Sequence, residues 1–170
     1  MSREAPVLGA DEAVTALYVA HYRGLVRLAA LLLDDVGAAE EVVQDAYVRM
    51  HSSWRRIRDP HAAVGYLRTT VVNLARSRLR HRQVVRRHPP AAPDDMPSAE
   101  QDVLDRLEQD RVVAALRTLP ARQRECLVLR YYGDLSEAQI AAAMGISPGA
   151  VKSHASRGMT ALRAALAVTP

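Results

Sequence analysis

Four prolines, Pro89, Pro90, Pro93 and Pro97, stand within the eleven residues from His88 to Ser98. Proline lacks a backbone N–H and its ring clashes with the preceding turn, so no helix continues through such a stretch. Asp94 and Asp95 keep the segment solvated, and it reads as a flexible linker. The 170-residue chain is thereby divided into two halves, each of which must bury its own small core. No internal repeat is visible.

Both halves read as helices only. Apolar residues make up 49% of the chain, but there is no Phe and one Trp, so the cores must be built from Ala, Val and Leu. That composition suits helices better than sheets. Val14, Leu17, Tyr18, Leu25, Leu28 and Leu32 recur at helical spacing over 11–33, and Asp34, Asp35 and Gly37 break the run. A second helix is expected over 38–54, with Val43, Ala46, Tyr47, Met50 and Trp54 on one face. Asp59 and Pro60 supply a cap and a first-turn proline for a third helix over 60–82, whose inward face holds Val64, Leu67, Val71, Leu74 and Ala75. After the linker, helices are expected over 100–118, 121–132, from Ser136 and from Ser147. Leu127-Val128-Leu129 is too short for a strand and lies in a helical frame.

The segment Ser136 to Arg157 has the layout of a helix-turn-helix. Ser136 with Gln139 three residues on forms a capping box for a short helix, and Gly145 closes that helix in the left-handed conformation. Ile146 fills the corner, Ser147 caps the next helix and Pro148 begins it. Small Ala141 permits close approach, and Val151, Ala155, Met159 and Leu162 should face the core. Gly149, Lys152, Ser153, Ser156 and Arg157 are then left on the outside. Short polar and cationic groups near a helix start can reach phosphates and base edges in a major groove. A plain helical hairpin with a solvated face would not need cap, glycine and corner residue all to agree.

The net charge is +4, and Lys152 is the only Lys, so the basic residues are otherwise Arg. Coding bias explains much of that preference, and the placement of the arginines carries more weight than their number. From Arg49 to Arg87 there are eleven Arg and one acid, Asp59. On the third helix Thr69, Asn73, Arg76 and Arg80 form one polar stripe, suited to phosphates and bases unless it is simply a solvated face. Tyr47, Trp54 and Tyr66 could stack on bases, but Tyr47 and Trp54 share the apolar face and read as core. The second helix instead carries Glu40, Glu41, Gln44 and Asp45 as an acidic edge beside Val48. Such an edge repels DNA, so it is solvated or meets a basic protein.

Three stretches, in order around a proline-rich linker, resemble the extracytoplasmic-function sigma factors of the sigma-70 family. Ala39-Glu40-Glu41-Val42-Val43-Gln44-Asp45-Ala46-Tyr47 resembles the core-polymerase-binding segment of region 2. Tyr66 to Arg78 resembles the −10 recognition helix. Leu119 to Arg124, Arg130-Tyr131-Tyr132 and the helix-turn-helix through Ser153 resemble region 4. The resemblance implies an all-α fold with region 2 over 11–87, a linker over 88–99 and region 4 over 100–168. It implies a non-enzymatic factor that binds core RNA polymerase and directs promoter-specific initiation. Its partners would be duplex promoter DNA, the opened −10 single strand and, in some relatives, an anti-sigma factor. Carried over residue by residue, it assigns Arg58, Thr69, Asn73, Arg76 and Arg80 to the −10 element. Gly149, Lys152, Ser153, Ser156 and Arg157 go to the −35 element. Glu40, Glu41, Gln44, Asp45 and Val48 go to core polymerase. The loop Arg55 to His61 becomes the pocket for a flipped −10 base. One departure is Ser77, where many relatives carry Asp.

Other classes find little footing. An ordinary helix-turn-helix regulator gives no reason for a second basic helix beside an acidic edge. An enzyme acting on nucleic acid would need a metal cluster, phosphate loop or nucleophile–base pair. The six His residues have no paired Cys or carboxylate at ligand spacing, so no metal or cofactor is expected. Cys126 is the lone cysteine, lies in an apolar run and reads as a buried structural thiol. No membrane-spanning run or signal peptide is expected, which implies a soluble cytoplasmic protein.

Overall fold

The computed structural model describes residues 9–57, 59–85 and 110–168. Every regular element among them is a helix. The N-terminal group comprises α1 (Ala10–Leu33), α2 (Val36–Ser52), the single turn α3 (Trp54–Ile57) and α4 (Pro60–Val85). The C-terminal group comprises α5 (Arg111–Arg117), α6 (Ala121–Tyr131), α7 (Glu137–Met144) and α8 (Pro148–Val168). The proline-rich segment and the expected helix over 100–109 lie outside the described residues.

Helices α1, α2 and α4 pack on one another around Val26, Leu28, Val42, Val43, Met50, Leu67, Val71 and Val72, all essentially buried. Ala39, Ala46, Ala63 and Ala75 are fully buried between them, so the helices approach closely without aromatic filler. Truncating a side chain such as Leu67 to Ala in a core of this kind costs about 2–5 kcal/mol. Tyr47 is core, as its place on the apolar face implied, and its hydroxyl donates to the Leu17 carbonyl at 3.0 Å. Trp54 packs half-buried against the same core.

The turn from α1 to α2 is fixed by two adjacent acids. Asp34 takes the left-handed conformation (φ 52°) and its N–H donates to the Ala30 carbonyl at 2.7 Å. Asp35 caps α2 by accepting from the Ala38 N–H at 3.0 Å. Arg82, near the end of α4, spans this turn and donates to the Leu33 carbonyl at 2.7 Å and to Asp35 at 3.0 Å. By length and composition alone α1 is long and apolar enough to cross a bilayer, a test that the core helix of a soluble protein also passes. Its apolar face instead supplies Leu25, Val26, Leu28, Ala29 and Leu32 to the core, which explains its hydrophobicity.

In the C-terminal group, α6 and α8 cross at Gly158. A Cβ there would lie 3.1 Å from Leu127 Cδ1 and 3.3 Å from the Gln123 carbonyl, so any side chain would crowd the crossing and the neighbours would have to give by a few tenths of an ångström. Cys126 is fully buried, its Sγ lies 3.5 Å from the Val151 carbonyl, and burial pushes its thiol pKa up. The two groups also touch, through α1 and α4 against α5 and α6.

Candidate promoter and polymerase interfaces

The helix-turn-helix forms as its sequence dictates. Ser136 and Gln139 bond reciprocally, at 3.2 and 2.8 Å, and cap α7. Gly145 adopts φ 65° and its N–H donates to the Ala141 carbonyl, after which the chain turns. Ser147 accepts from the Ala150 N–H at 3.1 Å and caps α8. Ile140, Met144, Val151 and Ala155 are buried between the two helices, and Ile146, Met159 and Leu162 close the edges. Gly149, Lys152, Ser153, Ser156 and Arg157 are exposed on the first turns of α8. Lys152 leans to within 3.9 Å of Glu137 but keeps 72% of its side chain in solvent, a pair too loose to hold it. Their face combines free charge with the positive end of a long helix.

Helix α4 places its predicted residues less uniformly. Thr69, Asn73 and Arg80 are exposed on one stripe. Arg76, expected on the same open stripe, is not open. Only 15% of its side chain is exposed, and it is bonded to Glu125 of α6, itself 16% exposed. Its other nitrogen lies 3.5 Å from the Met144 carbonyl, and Arg122 donates to that carbonyl at 3.4 Å. Charge-assisted bonds of this kind contribute roughly 1.5–3 kcal/mol. Arg58 lies outside the described residues. Asp59 accepts from the His61 N–H at 3.0 Å and starts α4 as expected.

The acidic edge of α2 is real and largely in solvent. Glu41, Gln44 and Asp45 are exposed, Glu40 is half-buried, and Val48 stands 66% exposed beside them. Glu41 is bonded to Arg78 of α4 at 2.5 Å. Behind the edge, Tyr18 and Tyr22 stack at 4.4 Å between ring centroids, and Tyr47 lies 5.2 Å from Tyr18. Burial, with Glu40 and Tyr18 close by, pushes the Tyr22 hydroxyl up to about 12; burial with the two neighbouring tyrosines does the same to Tyr47. An exposed valine amid carboxylates is an arrangement suited to a basic protein surface with an apolar centre.

The described residues contain no group of three His, Cys, Asp or Glu side chains able to hold a metal. Sequence reasoning did not reach the ion pairs between the two helical groups. Glu125 sits in the run Arg122-Gln123-Arg124-Glu125, which carries no local signal for a partner 49 positions away.

A helix-turn-helix and a second basic helix with an adjacent acidic face define a promoter-binding helical protein. Comparison narrows the class. Residues 17–84 match the family model for sigma-70 region 2, and residues 109–162 match that for sigma-70 region 4. The chain is 31% identical over 141 residues to the RNA polymerase sigma-E factor of Streptomyces coelicolor, covering 82% of this chain and 77% of the relative. It is 33% identical over 166 residues to the ECF RNA polymerase sigma factor SigK of Mycolicibacterium vanbaalenii, covering 92% and 83%. Among solved structures, CnrH in complex with the cytosolic domain of CnrY superposes with a TM-score of 0.58 at 23% identity, covering 95% of this chain and 96% of that one. RpoE in complex with the anti-sigma factor NepR from Bartonella quintana superposes at 0.62 and 22% identity, covering 92% and 98%. The chain belongs to the extracytoplasmic-function sigma factors of the sigma-70 family. It binds RNA polymerase and directs promoter-specific transcription initiation, and members of this family are non-catalytic initiation factors.

Proposed function

We propose a division of this activity among three faces. Region 2 is taken as 11–87 and region 4 as 100–168, on either side of the linker. The exposed row Gly149, Lys152, Ser153, Ser156 and Arg157 on α8 reads the −35 element, with the cations on phosphates and the serines against base edges. Thr69, Asn73, Arg76 and Arg80 on α4, together with Arg58, engage the −10 element as it opens. Glu40, Glu41, Gln44, Asp45 and Val48 on α2 dock onto a basic surface of core polymerase.

The observation that carries this reading is the separation of sign. The face of α2 presents carboxylates around an exposed valine, while α4 and α8 present Arg, Lys and short polar groups. DNA and the polymerase are thereby assigned to different surfaces. We infer a cytoplasmic site of action, because promoter DNA is there, and no catalytic chemistry of the chain's own. Structural relatives captured with CnrY and NepR support regulation by an inhibitory protein partner.

The test is run-off transcription with purified, active core polymerase and genomic DNA of the source organism. Start sites that core alone ignores are expected, sharing −35 and −10 elements. Absence of any specific transcript refutes the reading. Within it, Asp45→Arg should abolish co-purification with core while leaving the circular dichroism spectrum unchanged. Wild-type recovery of core by that variant removes α2 from the polymerase interface.

A further inference from the structure

A cleft of about 330 Å³ opens where α1 and α4 meet α6. That volume is within the range of small-molecule sites, about 300–1,000 Å³. Leu31 and Leu32 of α1 and Leu79 of α4 give it an apolar wall. Arg76 and Arg80 of α4 and Arg122 and Arg124 of α6 give it a cationic one, with Gln83 beside them. Glu125 is the one acid in the lining.

The cations of this cleft are not balanced from within the chain. Glu125 is already bonded by Arg76. Arg76 and Arg122 also converge on a single neutral acceptor, the Met144 carbonyl, at 3.5 and 3.4 Å. Arg80 and Arg124 have no carboxylate partner among the described residues. Four arginines less one carboxylate leave an excess of three positive charges around one recess. Like charges gathered against apolar walls repel, because water screens them incompletely there. An anion seated in the cleft relieves that repulsion.

The lining also selects the kind of anion. Guanidinium groups offer paired planar donors that match phosphate oxygens. A terminal phosphate alone carries about −1.5 to −2, so the excess charge suits two linked phosphates better than one. The leucines are of no use to a bare inorganic ion. They suit a flat, partly apolar body, and the Gln83 amide can both donate to and accept from its polar edge. A nucleobase has that character.

We propose that this cleft is a binding site for a small phosphorylated ligand of the nucleoside diphosphate class. The diphosphate lies among Arg80, Arg122 and Arg124, with Arg76 held behind them by Glu125, and the base lies against Leu31 and Leu79 beside Gln83. Binding is reversible and involves no covalent change. The site goes beyond the promoter and polymerase faces: Arg122, Arg124, Gln83 and the leucines belong to none of them. Its walls come from both helical groups, so it is complete only in the arrangement seen here.

The test is isothermal titration calorimetry of the full-length chain, with ADP, GDP, inorganic pyrophosphate and adenosine as probes, at about 50 mM NaCl to limit screening. ADP or GDP should bind one per chain with a Kd of about 1–100 μM. Pyrophosphate should bind at least about tenfold more weakly, and adenosine should give no measurable heat. This ranking needs no substitution. Arg122→Gln with Arg124→Gln should weaken nucleotide binding at least about tenfold, through lost charge-assisted bonds, with the circular dichroism spectrum unchanged. Arg130→Gln with Arg163→Gln removes the same charge from exposed positions outside the cleft and should keep wild-type affinity. The site is overturned if neither nucleotide binds more tightly than about 1 mM, or if pyrophosphate or adenosine binds as tightly as the nucleotides. It is equally overturned if the folded Arg122/Arg124 variant keeps wild-type affinity. Equal weakening by the two double variants overturns it as well, since that marks diffuse attraction to a basic protein.

Discussion

On α8, Lys152, Ser153, Ser156 and Arg157 stand in solvent, whereas on α4 Arg76 lies against Glu125 while Thr69, Asn73 and Arg80 remain exposed. Both helices carry an apolar stripe opposite a polar one, and both begin with a proline after a capping residue. They differ in what lies over the polar stripe. Helix α8 is held from behind by α5, α6 and α7, which leaves its front open. Helix α4 is held by α1 and α2, and its side meets α6 of the other unit. Two helices of one design are therefore in different states of readiness. The face proposed to read duplex DNA is available, and the face proposed to engage an opened strand is partly covered.

The comparison breaks most readily at the support of α8. Gly158→Val adds a branched side chain where a Cβ alone already lies 3.1 Å from Leu127 Cδ1 and 3.3 Å from the Gln123 carbonyl. Overpacking of this kind costs about 1–3 kcal/mol, and in so small a unit it should abolish −35 duplex binding and lower the melting temperature. Retention of duplex binding by this variant, measured by gel shift, would show that α8 does not depend on its seat on α6.

Next in size is the contrast between the two arginines. Arg157→Ala should weaken binding of −35 duplexes about threefold to tenfold, irrespective of sequence, and lower the salt slope by about one unit. Arg76→Ala should change binding of the same duplexes by less than about twofold. In the polymerase complex the order should reverse, with Arg76→Ala and Asn73→Ala reducing strand opening as read by permanganate reactivity. Equal effects of Arg157→Ala and Arg76→Ala on free-protein binding would erase the distinction between open and covered.

A third test compares the units by alkaline titration. The Tyr22 and Tyr47 hydroxyls lie at about 12 in the folded chain against an ordinary 10.0. A raised folded value means that the native state holds these protons more tightly than the unfolded one. The resulting stabilisation is complete below pH 10 and is lost as pH rises from 10 toward 12. The packing of α1 on α2 should therefore weaken across that window, with two tyrosinates appearing at 295 nm only as helix content falls. Ionisation of all six tyrosines near pH 10 with full helicity would count against the packing described.

The smallest effect is expected at Gly149. A Cβ there meets only Ser147 Oγ at 3.9 Å, and the residue is exposed in the first turn of α8. Gly149→Ala should be neutral or stabilise by up to about 1 kcal/mol in thermal unfolding. A fall in −35 affinity without loss of stability would then locate DNA against that backbone.

The sequence by itself determined the local structure. Helix period, the Asp59, Ser136 and Ser147 caps and the glycine at 145 each act over a few residues, so the elements and the helix-turn-helix were legible before any packing was known. The polar row of α8 was legible for the same reason, because the inward residues Val151 and Ala155 fix which residues point out. Boundaries moved by a few residues, and the second expected helix ends at Ser52, with Trp54 starting the separate turn α3. The apolar character of α1, enough by length and composition to span a bilayer, is accounted for by the side it lays in the core. Only the tertiary structure decided the state of Arg76. Periodicity places a residue on a face of its own helix, but what covers that face depends on residues 49 positions away in another unit. Ion pairs between surfaces leave no periodic trace. Glu125 and Asp134 are ordinary surface acids until α6 and the turn after it are brought against α4.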